Sequence, residues 1–119
     1  MHIEITRDQE LEDGLVVRLD GALEIGVVDR LWQKTSERVG KDARFFLFDF
    51  SDVTIITSAG IGTLVRLLIR LRGVGGSMAI FGCSDKICEV FDIVMLKKLL
   101  QVCDSEAEAR RKLVQARSS

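Results

Sequence analysis

The sequence Asp49-Phe-Ser-Asp-Val-Thr-Ile-Ile-Thr-Ser-Ala-Gly-Ile-Gly-Thr-Leu64 leads from a buried strand into an apolar helix. The strand, at residues 45–50, is almost continuously apolar, which is typical of a central strand covered on both faces. A polar turn and a short apolar link at residues 53–56 follow it. We expect the helix to run from Ser58 to about Arg72. Its start places the Ser58 hydroxyl at the positive end of the helix, where it suits an N-cap and equally a phosphoryl acceptor.

The other elements follow from hydrophobic periodicity on either side of this junction. Alternation predicts strands at residues 3–6 and 15–19, close enough to form a hairpin with a solvated acidic tip at residues 8–13. A buried strand is predicted at residues 77–82 and a last, edge strand at residues 99–103. Three further helices are predicted. The first lies between Glu24 and a C-cap at Gly40, and its apolar face consists of Val28, Leu31, Trp32, Thr35 and Val39. The second follows an N-cap at Ser84 or Asp85 and has a face of Ile87, Val90, Phe91 and Val94, and the third runs from a cap at Asp104 or Ser105 to about Val114.

This order of elements predicts one domain over residues 1–119. Strands and helices alternate after the hairpin, which predicts an α/β fold with a mixed, mostly parallel sheet and helices packed against it. Right-handed crossovers would place the later strands side by side and parallel.

The composition argues against several classes of function. Seventeen Lys and Arg against eighteen Asp and Glu give a net charge of -1, unlike a general nucleic-acid binder. No apolar run has the length of a membrane span and no secretory leader precedes the first strand, so we expect a cytoplasmic protein. The chain has one His and no GKS or GKT loop, so we expect no enzyme activity and no cofactor. The cysteines form no Cys-x-x-Cys pair and are expected to be buried, reduced thiols; they are Cys83, Cys88 and Cys103.

Three smaller motifs have plain structural interpretations. Asp49 and Asp52 could hold magnesium, but turn and cap roles are commoner for Asp at the end of a strand. The glycines at residues 73–76 follow a helix and precede a strand, which favours a C-cap turn over a phosphate loop. The basic run at residues 110–112 is explained by helical pairs of Glu106 with Arg110 and of Glu108 with Lys112.

The helix that begins at Ser58 has two different faces. Its apolar stripe consists of Ile61, Leu64, Val65 and Leu68, extended by Leu67 and Leu71, and its outward stripe consists of Ala59, Gly62 or Thr63, Arg66 and Arg70. No acidic residue occurs from Ala59 to Ser84. The outward stripe is therefore either a solvated arginine face or a docking surface for an acidic partner. Gly60 and Gly62 weaken the first turn, and either tight packing or a flat approach for a partner would explain them.

The chain resembles the STAS family, the sulfate-transporter and anti-sigma-factor-antagonist domains, in the order and spacing of several motifs. Three segments carry the resemblance: Val17-Arg-Leu-Asp-Gly-Ala-Leu-Glu24, Phe48-Asp-Phe-Ser-Asp-Val53 and Thr57-Ser-Ala-Gly-Ile-Gly62. The pair Gly75-Gly76 before a strand and the later Phe91-Asp92, Leu96 and Lys98-Leu99 also fit. Two positions depart from the family pattern, since Thr57 stands where Asp is frequent and Val94-Met95 replaces a small pair.

The resemblance implies a binding module that is switched by phosphorylation. Ser58 would be the phosphoacceptor and Thr57 a second candidate. The unphosphorylated protein would bind an anti-sigma factor that is also a serine kinase, phosphorylation would weaken the complex, and a PP2C-type phosphatase would restore it. The surface in contact with the partner would consist of Gly21, Glu24, Thr57, Ser58, Ala59, Gly62, Thr63, Arg66 and Arg70.

Three alternative functions remain at this point. The chain could be a scaffold subunit of a larger signalling assembly, or an accessory subunit of a transport system that works without phosphorylation. A small enzyme or nucleotide-binding protein ranks last, because the sequence has one His and neither a phosphate loop nor a metal cluster.

Overall fold

The computed structural model describes residues 1–118. In this part of the chain four strands and four helices follow one another as β1 His2–Arg7, β2 Gly14–Leu23, α1 Ile25–Ser36, β3 Phe45–Ile56, α2 Ser58–Arg72, β4 Ser77–Phe81, α3 Asp85–Ile93 and α4 Glu106–Ser118. The strands form one sheet in the order β1-β2-β3-β4. β1 is antiparallel to β2, whereas β2, β3 and β4 are parallel. The predicted mixed, mostly parallel α/β fold is confirmed.

The central strand β3 supplies side chains to a core on each face of the sheet. Phe46, Phe48 and Phe50 point to one face, where they pack with buried residues of α1, α2 and α3. Phe45 and Leu47 point to the other face, which Ala109 and Leu113 of α4 cover. All five β3 side chains are at most 1% exposed. Burying such a side chain stabilises the fold by about 1.5–3 kcal/mol. Because β3 presents apolar side chains on both faces of the sheet, helices have to cover both faces.

β3 is longer than the sequence suggests. The link at residues 53–56 belongs to the strand, since Val53 pairs with Gly21 and Ile56 pairs with Leu23. The register shifts twice between β2 and β3, so β3 carries extra residues there. These irregularities interrupt the alternation of apolar residues. For this reason the sequence predicted a strand that ends at residue 50, followed by a turn and a link.

The predicted edge strand at residues 99–103 is wrong. Only Val102 forms a bridge, with Ile80 of β4, and the residues before it form turns. The amide of Leu100 donates to the carbonyl of Leu96 and that of Val102 to Lys97, both at 2.9 Å. These turn bonds coil the segment, so its pairing with β4 is limited to one bridge, in which the amide of Ile80 donates to the carbonyl of Gln101 and the amide of Cys103 donates to the carbonyl of Ile80.

The predicted C-cap at Gly40 is also wrong. α1 ends at Ser36, and Gly40 lies in the turn that follows, with a φ of 80°. Its amide donates to the carbonyl of Ala43 at 2.9 Å. Gly40 therefore adopts the left-handed conformation of a turn that follows α1, and it does not end the helix itself.

The acidic tip at residues 8–13 is not simply solvated. Asp8 is 6% exposed, accepts hydrogen bonds from the amides of Glu10 and Leu11, and is bound by Arg110 of α4 at 2.8 Å. Asp13 binds Arg44 at 2.9 Å. The ion pair of Asp8 with Arg110 therefore holds the hairpin tip to α4. Hydrophobic periodicity could not indicate this contact, because the two residues lie far apart in sequence.

The predicted caps and the pairs within α4 are observed. Ser84 accepts a hydrogen bond from the amide of Ile87 at the start of α3, and Ser105 accepts one from Glu108 at the start of α4. Glu106 binds Arg110 at 3.0 Å and Glu108 binds Lys112 at 3.9 Å. α4 continues to Ser118, four residues past its predicted end.

Candidate functional site

The site lies where β2 and β3 end at the same edge of the sheet. The carbonyl of Leu23, the last residue of β2, accepts hydrogen bonds from the Thr57 amide at 3.1 Å and from the Thr57 hydroxyl at 3.2 Å. These two bonds fasten the start of α2 to the end of β2. The structure thus brings together two of the segments that the sequence singled out, residues 21–24 and 57–62.

The two adjacent hydroxyls have different environments. Thr57 occupies the N-cap position of α2 but makes no side-chain cap, because its hydroxyl is bound to β2 instead. Ser58 is the first residue of the helix and is exposed, and within residues 1–118 its hydroxyl has no hydrogen-bond partner. The capping role that residue statistics favour for this pair is therefore wrong. The Ser58 oxygen remains open to modification.

Gly60 and Gly62 have separate explanations. A Cβ atom at Gly60 would lie 2.8 Å from both the Cγ and the carbonyl oxygen of Leu23, so this glycine permits close packing of α2 on β2. A Cβ at Gly62 would meet no atom within 4 Å. Gly62 leaves a low, open surface one turn from Ser58, so tight packing explains Gly60 and does not explain Gly62.

The outward face of α2 contains Gly62 rather than Thr63. Thr63 is 6% exposed and its hydroxyl donates to the carbonyl of Ala59 at 2.9 Å, so it is a poor candidate for partner contact. Ala59 is half-buried. Arg66 is exposed and its guanidinium carbon lies 4.1 Å from the centre of the Trp32 ring of α1, a cation–π contact that fixes the position of this charge.

Arg70 continues the basic face one turn further along α2. It is exposed and has no ion-pair partner within residues 1–118. The first turn of α2 holds no acidic residue. The surface from Ser58 to Arg70 is therefore positively charged, which suits an acidic partner.

The end of β2 adds residues that the sequence predicted and some that it missed. Gly21 has a φ of 114° and Glu24 is the exposed N-cap residue of α1. Ile25 directly follows and is 80% exposed, and Ile55, which pairs in register with Ala22, is 51% exposed. These two isoleucines give the site an apolar rim. The sequence did not indicate them, because Ile25 lies in α1 and Ile55 in β3, and an isoleucine in a helix or strand is ordinarily part of the core.

Val94 and Met95, which replace the small pair of the STAS family pattern, form a second exposed apolar surface. Val94 caps the end of α3, and Met95 follows with a φ of 60° and is 86% exposed. A left-handed conformation is costly for a side chain of this kind.

The remaining candidates have structural roles. Asp49 accepts hydrogen bonds from the amide and hydroxyl of Ser51 and binds Arg18 at 3.1 Å. Burial acts to raise the pKa of Asp49, but these bonds and the Arg18 charge outweigh it and the pKa is lowered. Asp52 is exposed. The predicted turn or cap role of Asp49 is wrong, because Asp49 lies within β3 beside a register shift, and its carboxylate binds Ser51 of the same strand.

The three cysteines are free thiols. Cys103 is buried, whereas Cys83 and Cys88 are only half-buried. Burial, with the nearby Cys88 thiol, raises the pKa of Cys83 to about 12. A thiol with such a pKa is protonated near neutral pH and reacts slowly.

A parallel-rich sheet with helices on both faces and a free serine hydroxyl at one helix start defines a class of small α/β binding modules. The model of the STAS domain family matches residues 2–109, and the chain belongs to this family. Among residues 1–118, no helix combines the length and apolar content needed to cross a membrane.

Solved structures share this fold at low sequence identity. The unphosphorylated form of the anti-sigma factor antagonist SpoIIAA superposes with a TM-score of 0.72 at 18% identity, covering 96% of this chain and 98% of that chain. The phosphorylated form of SpoIIAA, from Bacillus, superposes with a TM-score of 0.72 at 20% identity, covering 93% of this chain and 98% of that chain. An anti-sigma factor antagonist from Mycobacterium paratuberculosis gives 0.81 at 15% identity, with 94% and 92% covered. A sulfate transporter family protein from Wolinella succinogenes gives 0.69 at 19% identity, with 86% and 83% covered.

Proposed function

We propose that the protein is an anti-sigma-factor antagonist whose binding to a partner is switched by phosphorylation of Ser58. The observation that carries the proposal is the exposed Ser58 hydroxyl, which lies at the start of α2 without a hydrogen-bond partner in residues 1–118. The similarity in fold to SpoIIAA, solved with and without phosphate, supports it. The unphosphorylated chain would bind an anti-sigma factor with serine kinase activity, and a PP2C-type phosphatase would reverse the modification.

Ser58 is a better acceptor than Thr57. A kinase needs the hydroxyl oxygen free to attack the transferred phosphoryl group. The Thr57 hydroxyl donates to the carbonyl of Leu23, and its modification would remove one of the two hydrogen bonds that fasten α2 to β2. Modification of Ser58 breaks no hydrogen bond within residues 1–118.

The partner surface would centre on Ser58 and continue along α2. Its components are the exposed, flat surface at Gly62, the apolar rim of Ile25 and Ile55, and the charges of Arg66 and Arg70. An acidic partner segment matches these charges. Gly21 and Glu24 would contribute from the end of β2, whereas Thr63 would act only within the helix.

Phosphorylation would act on the interface and not on the fold. A phosphate adds about -1.5 to -2 charges. At the start of a helix the macrodipole favours this charge by about 0.3–1 kcal/mol. Enclosing an unpaired ion in an interface costs several kcal/mol, and about 2.8 kcal/mol is already a hundredfold loss of affinity. The interface effect is larger, so repulsion and desolvation would release the partner from a folded domain.

The test uses the variants Ser58→Ala, Ser58→Asp and Thr57→Val with an anti-sigma serine kinase from the same organism and ATP. We expect mass spectrometry to place the phosphate on Ser58, and Thr57→Val to be phosphorylated while Ser58→Ala is not. Surface plasmon resonance should give near wild-type binding for Ser58→Ala and about a hundredfold weaker binding for Ser58→Asp. The proposal is wrong if Ser58→Asp binds as tightly as Ser58→Ala, or if its effect is explained by unfolding in a melting experiment.

An accessory role in a transport system is a second candidate, favoured by the similarity in fold to a sulfate transporter family protein. In that case the same surface would bind a membrane protein without phosphorylation. Ser58→Ala and Ser58→Asp would then bind alike, while Arg66→Gln with Arg70→Gln would weaken binding. A scaffold role in a larger assembly would instead appear as a high mass in size-exclusion chromatography with light scattering.

A further inference from the structure

A cavity of about 320 Å³ opens beside the sheet, between the start of β1 and the outer side of α1. Its lining consists of Met1, His2, Ile3, Arg30 and Lys34. Arg30 and Lys34 are four residues apart on α1 and therefore lie one above the other on the same face. The cavity thus has a cationic wall on the helix and an apolar wall formed by Met1 and Ile3.

The two cations of this wall have no carboxylate partner in the described part of the chain. Neither Arg30 nor Lys34 forms an ion pair within residues 1–118, and the guanidinium of Arg30 donates to the carbonyl of Met1. Among the same residues, no acidic side chain lines the cavity. Most other arginines in the described chain do have such partners: Arg7, Arg18, Arg38, Arg44, Arg110 and Arg117 each bind an Asp or a Glu.

Like charges four residues apart on a helix repel each other and gain from a shared counter-ion. An arginine beside a lysine is an arrangement that binds phosphate well, since the guanidinium keeps N–H donors besides the one bound to the Met1 carbonyl and the ammonium adds a second charge. Two cations match a phosphate dianion better than a single carboxylate. The remaining volume beside Met1 and Ile3 is apolar and would be left empty by inorganic phosphate alone.

We propose that this cavity binds a small organic phosphate, with the phosphate group between Arg30 and Lys34 and the organic part against Met1 and Ile3. Its volume is at the lower end of the range for small-molecule sites, which suits a ligand of one ring or a short chain. The site is separate from the Ser58 hydroxyl and does not depend on phosphorylation there. The proposal therefore stands or falls independently of the proposed function.

The experiment titrates the protein with phenyl phosphate and with inorganic phosphate by isothermal calorimetry, at a constant ionic strength of about 150 mM to screen long-range attraction. The variants are Arg30→Gln, Lys34→Gln and the double variant. Arg72→Gln is the matched control, because Arg72 is an exposed arginine of α2 without an ion-pair partner in residues 1–118 and lies outside the proposed partner surface. Backbone amide NMR shifts locate the bound ligand.

We expect phenyl phosphate to bind at least tenfold more weakly to the double variant and within twofold of wild type to Arg72→Gln. It should also bind at least threefold more tightly than inorganic phosphate, with amide shifts at His2, Ile3 and residues 30–34. Equal weakening in Arg72→Gln would mean diffuse attraction to basic surface and overturn the proposal. Equal affinity for the two phosphates, or no saturable binding, would overturn it as well.

Discussion

The two glycines in the first turn of α2 differ in what surrounds them, and this difference gives opposite predictions for the same substitution. Gly60→Ala should destabilise the protein by about 1–3 kcal/mol, because its Cβ would lie 2.8 Å from Leu23. Gly62→Ala should be neutral or stabilise it by up to about 1 kcal/mol, since its Cβ meets open space and alanine favours the helix. Urea unfolding followed by far-UV circular dichroism measures both, and equal stabilisation by the two variants would contradict the packing of Gly60.

Asp8 gives a prediction about pH at the scale of one carboxyl group. Burial acts to raise its pKa, but hydrogen bonds from Arg110 and the Leu11 and Glu10 amides, with the Arg110 charge, outweigh this and lower the pKa. A carboxyl group with a pKa below its unfolded value stabilises the fold above the unfolded value, about 3.9, and loses that contribution as the pH falls through the folded pKa.

We therefore expect the difference in free energy of unfolding between wild type and Asp8→Asn to be constant above about pH 5 and to shrink below about pH 4. Urea unfolding at a series of pH values measures it. The exposed Asp29→Asn is the control and should differ little from wild type at neutral pH. A difference that grows as the pH falls would show that the ionised carboxylate does not stabilise the fold.

At the scale of elements, α4 is held to the hairpin by charge as well as by apolar packing. It buries only Ala109 and Leu113, and its Arg110 reaches Asp8, whose side chain is 3% exposed. Arg117 adds contacts to Glu12 and Asp13. The ion pair between Asp8 and Arg110 therefore fixes where α4 lies on the sheet.

Arg110→Ala should destabilise the protein by about 2–4 kcal/mol, because it leaves the buried carboxylate of Asp8 without its cation. The two backbone hydrogen bonds to Asp8 limit the loss. The adjacent and exposed Arg111→Ala should change stability by less than about 0.5 kcal/mol. Chemical denaturation of both variants tests this, and a similar small effect for the two would mean that apolar packing alone holds α4.

At the scale of the whole molecule, β3 couples the two faces of the sheet. Its alternate side chains belong to the two different cores, so losing one core removes support from the other. The single Trp, Trp32, lies on the face opposite α4. It reports on only one of the two cores.

We therefore expect unfolding to be one cooperative transition. The fluorescence of Trp32 and the far-UV circular dichroism should change at the same urea concentration. An earlier change in circular dichroism, before the fluorescence moves, would mean that α4 unfolds separately. Repeating the measurement with Arg110→Ala would then locate the weak contact.

The sequence by itself determined the order of the four strands and four helices, the composition of the core and the start of α2 at Ser58. These features depend on side chains a few residues apart, whose spacing alone selects strand or helix and gives each a buried face. The same local rules extended a false strand over residues 99–103, where the chain forms turns and a single bridge to Ile80 replaces a strand.

Only the tertiary structure decided which groups near the site are free. It bound the Thr57 hydroxyl to Leu23, 34 residues away, and left that of Ser58 exposed. It also joined Asp8 to Arg110 across 102 residues. The physical reason is that hydrogen bonds and ion pairs form between groups that the folded sheet brings together, and no local pattern records which distant carbonyl or carboxylate will be within reach.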